Sequence, residues 1–194
     1  MIYFYTHLLF AYVFLWNHSI INDMQFYRED LTFKIIDNTF YVSGFYSFCN
    51  TGNIPIRKLL FYPFPIDSTY GAVDSILAIN LTNEASEIIT KIEKDGFSFK
   101  IEIPGYGIVK YKICYQQKLF QNSAEYILNS TKKWEKPLET ASYRLITDDD
   151  LNIVSFTYTP DSISKANGQK IYYWSKKDFM PDKNMMFYFE RICK

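Results

Sequence analysis

The chain has 194 residues, with 21 Lys and Arg against 21 Asp and Glu, and it carries 17 Tyr, 17 Phe and 3 Trp but only 7 Gly. That length fits one domain, with or without an export segment. The zero net charge excludes the surplus of Lys and Arg that binding to nucleic-acid phosphates or to an anionic membrane surface needs. The aromatic content excludes disorder and favours the half-buried, pleated surface of a sheet.

Residues 2–16, IYFYTHLLFAYVFLW, form the most apolar stretch, and residues 8–16 have the length of a signal-peptide core. No Lys or Arg precedes this core and no small-residue cleavage site follows it in NHSIIND. A membrane span needs about 20 apolar residues, and Asn17, His18 and Ser19 interrupt this one earlier. Export is the expectation for residues 1–22, with a short uncleaved anchor or a buried strand as alternatives. Membrane contact is expected only through residues 2–21 if they are retained. The protein would then be periplasmic or at the cell surface.

From residue 23 to 194 the period is mostly two, which predicts one β-sandwich domain. DLTFKII (30–36) and TFYVSGFYSF (39–48) flank the turn formers Asp37 and Asn38. IRKLLF (56–61) runs into Pro63 and Pro65, and AVDSILAIN (72–80) follows. Proline lacks a ladder donor, so this pair predicts a corner where the chain leaves one sheet and enters another, with Phe61 and Phe64 covering the core. Residues 83–96 carry helical caps but end in Asp95-Gly96, a hairpin pair; strand is the expectation. FSFKIEI (97–103), IVKYKICYQ (108–116), AEYILNST (124–131), ETASYRLIT (139–147), LNIVSFTYT (151–159), KIYYWS (170–175) and MMFYFE (185–190) complete about a dozen strands. PDSISKANGQ (160–169) reads as a polar loop.

YVSGFYSFCNTGN (41–53) with FYPFPID (61–67) resembles poorly characterised bacterial exported or membrane-anchored β-sandwich proteins. YKICYQQ (111–117) and STKKWEKPLETASYRL (130–145) look like later segments of the same family. The resemblance implies an immunoglobulin-like antiparallel sandwich outside the cytoplasm, and it brings no catalytic residues.

Chemistry is sparse. His7 and His18 are the only histidines and both lie in the N-terminal segment, so the remainder lacks the imidazole of Ser-His or Cys-His catalysis. Cys49, Cys114 and Cys193 lack zinc-site spacing; Cys114 reads as core, and a Cys49–Cys193 bridge stays open. Asp148, Asp150 and Asn152 offer alternating oxygens to calcium, the one cofactor the sequence suggests, but miss the EF-hand template. Glu125, Glu139 and Asp161 are acids that a carboxylate-dependent glycan hydrolase would have to pair. Trp134, Trp174 and Tyr172 are the candidates for an aromatic platform, Trp134 foremost because KKWEKP reads as a polar turn. The leading expectation is a non-enzymatic exported module that binds an unknown protein or glycan. A glycan hydrolase and a calcium-stabilised adhesin-like domain are the alternatives.

Overall fold

The computed structural model describes residues 23–84 and 88–191. The predicted export segment and Cys193 therefore lie outside the described residues. The strands are β1 (Met24–Ile36), β2 (Thr39–Asn50), β3 (Ile56–Pro63), β4 (Tyr70–Asn80), β5 (Ile89–Glu93), β6 (Gly96–Ile103) and β7 (Ile108–Leu119). They continue as β8 (Ser123–Tyr126), β9 (Leu138–Asp148), β10 (Leu151–Phe156), β11 (Ser162–Ala166), β12 (Gln169–Phe179) and β13 (Met185–Arg191). A 3-10 turn, Asn129–Trp134, separates β8 from β9.

A seven-stranded sheet, β11-β12-β9-β1-β2-β7-β4, is packed on one face by two three-stranded sheets, β10-β13-β8 and β3-β6-β5. The all-β expectation holds. The all-antiparallel expectation does not, because β1 runs parallel to β9 in the centre of the large sheet. The chain enters β9 from the 3-10 turn, at the end of the large sheet where β1 also starts. Two short sheets share the covering face where a plain sandwich would place one.

Alternation explains the burial. Phe40, Val42, Tyr46 and Phe48 of β2, and Val109, Tyr111, Ile113 and Tyr115 of β7, all turn inward. Cys114 falls on the opposite parity, so it is half-buried on the outer face rather than core, and its thiol donates to the Ser43 hydroxyl at 3.4 Å. Cys49 is a free thiol. It stands at the far end of β2 from Asn38, which accepts from Arg191 at 2.9 Å, so β2 separates it from the chain's last described residue.

The Asp37–Asn38 turn has φ of 46° and 58°, the left-handed pair of a tight hairpin. Asn167 and Gly168 repeat it at 52° and 73°, joining β12 to β11, an exposed edge strand where a loop was expected. Of residues 83–96, where strand is the expectation, 89–93 are strand and 83–84 belong to a turn, while 85–87 lie outside the described residues.

The proline corner is where the chain changes sheets, from β3 to β4. Gln117, buried under it, donates to the carbonyls of Pro65 and Gly71, both at 2.8 Å. Phe64 is buried as expected, but Phe61 is 46% exposed. Strand alternation turns Tyr62 inward instead, and Phe61 lies on the outer face of β3.

Candidate functional site

The two small sheets lie side by side, leaving a cleft of about 420 Å³ whose floor is β1 and β2 of the large sheet. One wall is β3, and the other is the end of β8 with the 3-10 turn. The volume is that of a small-ligand site.

A bulge in β1 makes the floor. Met24 and Phe26 face inward at even positions, the register slips between Phe26 and Arg28, and Leu31, Phe33 and Ile35 face inward at odd ones. The slip turns Glu29 inward as well, where it is 2% exposed. Tyr126 donates to its Oε1 at 2.9 Å and Tyr143 to its Oε2 at 3.0 Å. Tyr46 shares hydrogen bonds with Tyr62 at 2.7 Å and with Tyr126 at 3.0 Å, and Tyr62 donates to Tyr126 at 3.3 Å. Four strands and the bulge thus converge on one carboxyl through four phenols.

Burial pushes the Glu29 carboxyl up from 4.5 to about 7, against the pull of the two tyrosine donors. Burial, with the Glu29 charge behind it, also holds Tyr126 and Tyr143 well above 10, so they stay protonated donors. Tyr115 is different: its hydroxyl is buried without a hydrogen-bond partner among the described residues. Tyr115→Phe should therefore keep or raise the melting temperature, whereas Tyr126→Phe, which deprives Glu29 of a donor, should cost about 1–3 kcal/mol. Thermal unfolding of both variants at pH 8 checks the contrast, and equal losses would count against the network.

Trp134 stands at the cleft on the 3-10 turn. Glu135 follows in the left-handed region at φ 59°, and its N–H donates to the Lys132 carbonyl at 3.1 Å, closing the turn. The indole packs on Phe26 and Phe48, with ring centroids 5.9 and 5.5 Å apart. Trp174 and Tyr172 occupy the even, inward positions of β12 and belong to the core, not to a surface platform. Trp174 packs on Phe156 and Phe187 and donates Nε1–H to the Tyr158 carbonyl at 2.8 Å.

The three candidate acids do not meet in the cleft. Glu125 accepts from Asn184 at 2.6 Å, Asp161 from the Ser175 N–H at 2.7 Å and Lys176 at 3.1 Å, and Glu139 is exposed on β9. Glu29 is the one carboxylate among the lining residues. Asp148 ends β9, where Gln169 donates to it at 3.4 Å; Asp150 is in the following turn and Asn152 is exposed on β10. Among the described residues no three His, Cys, Asp or Glu side chains are grouped to hold a metal ion.

Glu29 was missed by sequence reasoning, although a signal existed. Stepping back by two from Ile35, Phe33 and Leu31 lands on it, an acid in an inward column.

No family model matches the sequence, and no curated protein matches it. Solved structures do match the fold. A candidate nutrient-binding protein of Legionella pneumophila superposes with a TM-score of 0.73 at 14% identity, covering 86% of this chain and 67% of that one. The M1 zinc metallopeptidase of Deinococcus radiodurans matches with a TM-score of 0.52 at 7% identity, over 86% of this chain but 42% of the peptidase. A variant of that enzyme with a Tyr-Ser-Ala substrate matches equally well at 6% identity, over 43% of its length. At such identities the likeness is one of fold, and the chain spans less than half of the peptidases.

Proposed function

We propose that this chain is an exported, non-enzymatic binding module of the cell envelope, holding an organic ligand in the cleft between its two small sheets. The observation that carries the reading is the cleft itself, with Trp134, Phe48 and Phe26 as apolar surface and the Glu29–tyrosine network as its polar end. Large apolar surfaces with a few converging polar groups are what ligand sites present. The Legionella neighbour described as nutrient-binding supports a binding role. The apolar residues 8–16 support export. A glycan hydrolase would need a second carboxylate some 5–10 Å from the first, and none of the other lining residues is an acid.

The test is a panel of amino acids, short peptides and oligosaccharides added to the full chain, read by melting temperature and tryptophan fluorescence. A ligand should raise the melting temperature, and Trp134→Ala should weaken its binding at least tenfold. A ligand whose binding is unchanged by Trp134→Ala and Tyr62→Ala would remove the cleft from the reading, as would a panel with no ligand at all.

A further inference from the structure

We infer that the cleft takes an extended peptide of acidic character, which adds as a strand along the free edge of β3. The inference deepens the binding reading above and rests on it. Among the described residues, β3 is terminal in its sheet and pairs only with β6. Its residues 58–63 line the cleft without interruption. Successive side chains of a strand alternate between faces, so a cleft touching one face would meet every second residue. An unbroken run of six means that the strand turns its backbone edge to the cleft.

The ladder shows which backbone groups are on that edge. Phe64 donates its N–H to the Asp95 carbonyl at 2.8 Å, on the β6 side. In an antiparallel pair, N–H and C=O of one residue point to the partner and those of the next point away. Tyr62, Leu60 and Lys58 therefore face β6, and Pro63, Phe61 and Leu59 face the cleft. Pro63 agrees, because opposite Gly96 its donor-less nitrogen is tolerated on the free side. Leu59 and Phe61 leave two N–H and two C=O groups at the spacing a strand-adding peptide uses. Leu59 is 60% exposed.

Charge selects the occupant, because Glu29 is 2% exposed and its oxygens accept from Tyr126 and Tyr143, which leaves two lysines as the exposed charges of the walls. Lys58 shares the inward parity of Leu60 and Tyr62, and Lys133 stands across the cleft on the 3-10 turn. Neither makes an ion pair among the described residues. An inward lysine and a proline are devices that keep an edge from pairing indiscriminately. An acidic incoming chain converts Lys58 from a barrier into a contact. The six-residue wall is about 20 Å long, enough for a hexapeptide.

The test uses a fluorescein-labelled, capped hexapeptide alternating Glu with Val or Phe, titrated into the full chain and read by polarisation. Its companions are the same peptide with Lys for Glu, and two versions N-methylated at odd or at even positions. Strand addition predicts that one N-methylated version binds at least tenfold weaker while the other binds like the parent, and that the Lys version is lost. Leu59→Pro should weaken the parent tenfold where Leu59→Ala does not, with melting curves confirming that both fold. Equal binding of both N-methylated versions, or of the Lys version, overturns the inference. So does a panel in which only non-peptide compounds bind through Trp134, an outcome that leaves the cleft reading intact. No binding of any compound removes both.

Discussion

Glu29→Gln is expected to make the protein more stable at pH 8 and to remove a pH dependence expected of the native chain between about pH 4.5 and 7. The native carboxyl is raised from 4.5 to about 7 by burial. Within that window the folded state keeps a proton that the unfolded chain has released. Unfolding then releases a proton, so stability falls as pH rises and levels off above 7. At 1.36 kcal/mol for each pH unit, the ionised carboxylate costs about 3 kcal/mol at pH 8. The amide carries no charge to desolvate, and the neighbouring phenols can each donate or accept, so they can serve it. The gain is about 3 kcal/mol less the cost of reorienting them, or a rise in melting temperature of up to about 6–12 °C for a domain of this size. Asp30, Asp161 and Asp182 have the opposite sense. Their carboxyls are held below 3.8, so the stability they add is lost only at more acid pH and leaves this window clear. Urea unfolding at pH 4.5, 6 and 8 for both proteins decides the matter: parallel pH profiles would show that Glu29 is not the group responsible.

Trp174→Ala is expected to cost about 3–5 kcal/mol, the loss usual for a buried aromatic side chain cut to alanine. Its side chain is 1% exposed and sits among Phe156, Phe187 and the Tyr158 carbonyl that its Nε1–H serves. Trp174→Phe keeps most of the ring volume but strands that carbonyl, so about 1–2 kcal/mol of the loss should remain. Trp134→Ala offers the contrast, because a half-buried indole at a cleft gives up less packing; its loss should stay below half that of Trp174→Ala. Denaturant midpoints of the three variants check the order. A Trp134 variant as damaged as the Trp174 variant would mean that the 3-10 turn is part of the core rather than a wall of the site.

Much of this architecture is legible in local residue patterns. Asp37 and Asn38 mark a hairpin because both tolerate positive φ, and Pro63 with Pro65 mark the change of sheet because neither can donate to a ladder. Trp134 could be suspected from the polar residues around it. Trp174 and Tyr172 could not be excluded as easily, since the inward parity of β12 depends on where its hairpin begins. That hairpin was itself obscured. Asn167-Gly168 is a strong turn signal, yet β11 exposes every residue and shows no apolar alternation to accompany it. Cys114 misleads because an apolar neighbourhood in sequence is divided between two faces in a strand. Glu29 is legible only from the column downstream of it, because the bulge moves the inward positions from even to odd two residues before it. A cleft between two sheets and a parallel pair between residues more than a hundred positions apart have no local signature.

That parallel pair also governs the order in which the molecule can be made. β9 docks on β1 with Arg28 opposite Thr140, so the middle of the large sheet closes only when residues past 138 have left the ribosome. At roughly 5–20 residues per second of synthesis, β1 waits some 5–20 s with one edge bare. Contacts this distant in sequence form slowly once available, because a long loop must close before any hydrogen bond compensates for it. A chain cut anywhere between β2 and β9 would keep that edge bare permanently and should aggregate rather than persist as a smaller domain.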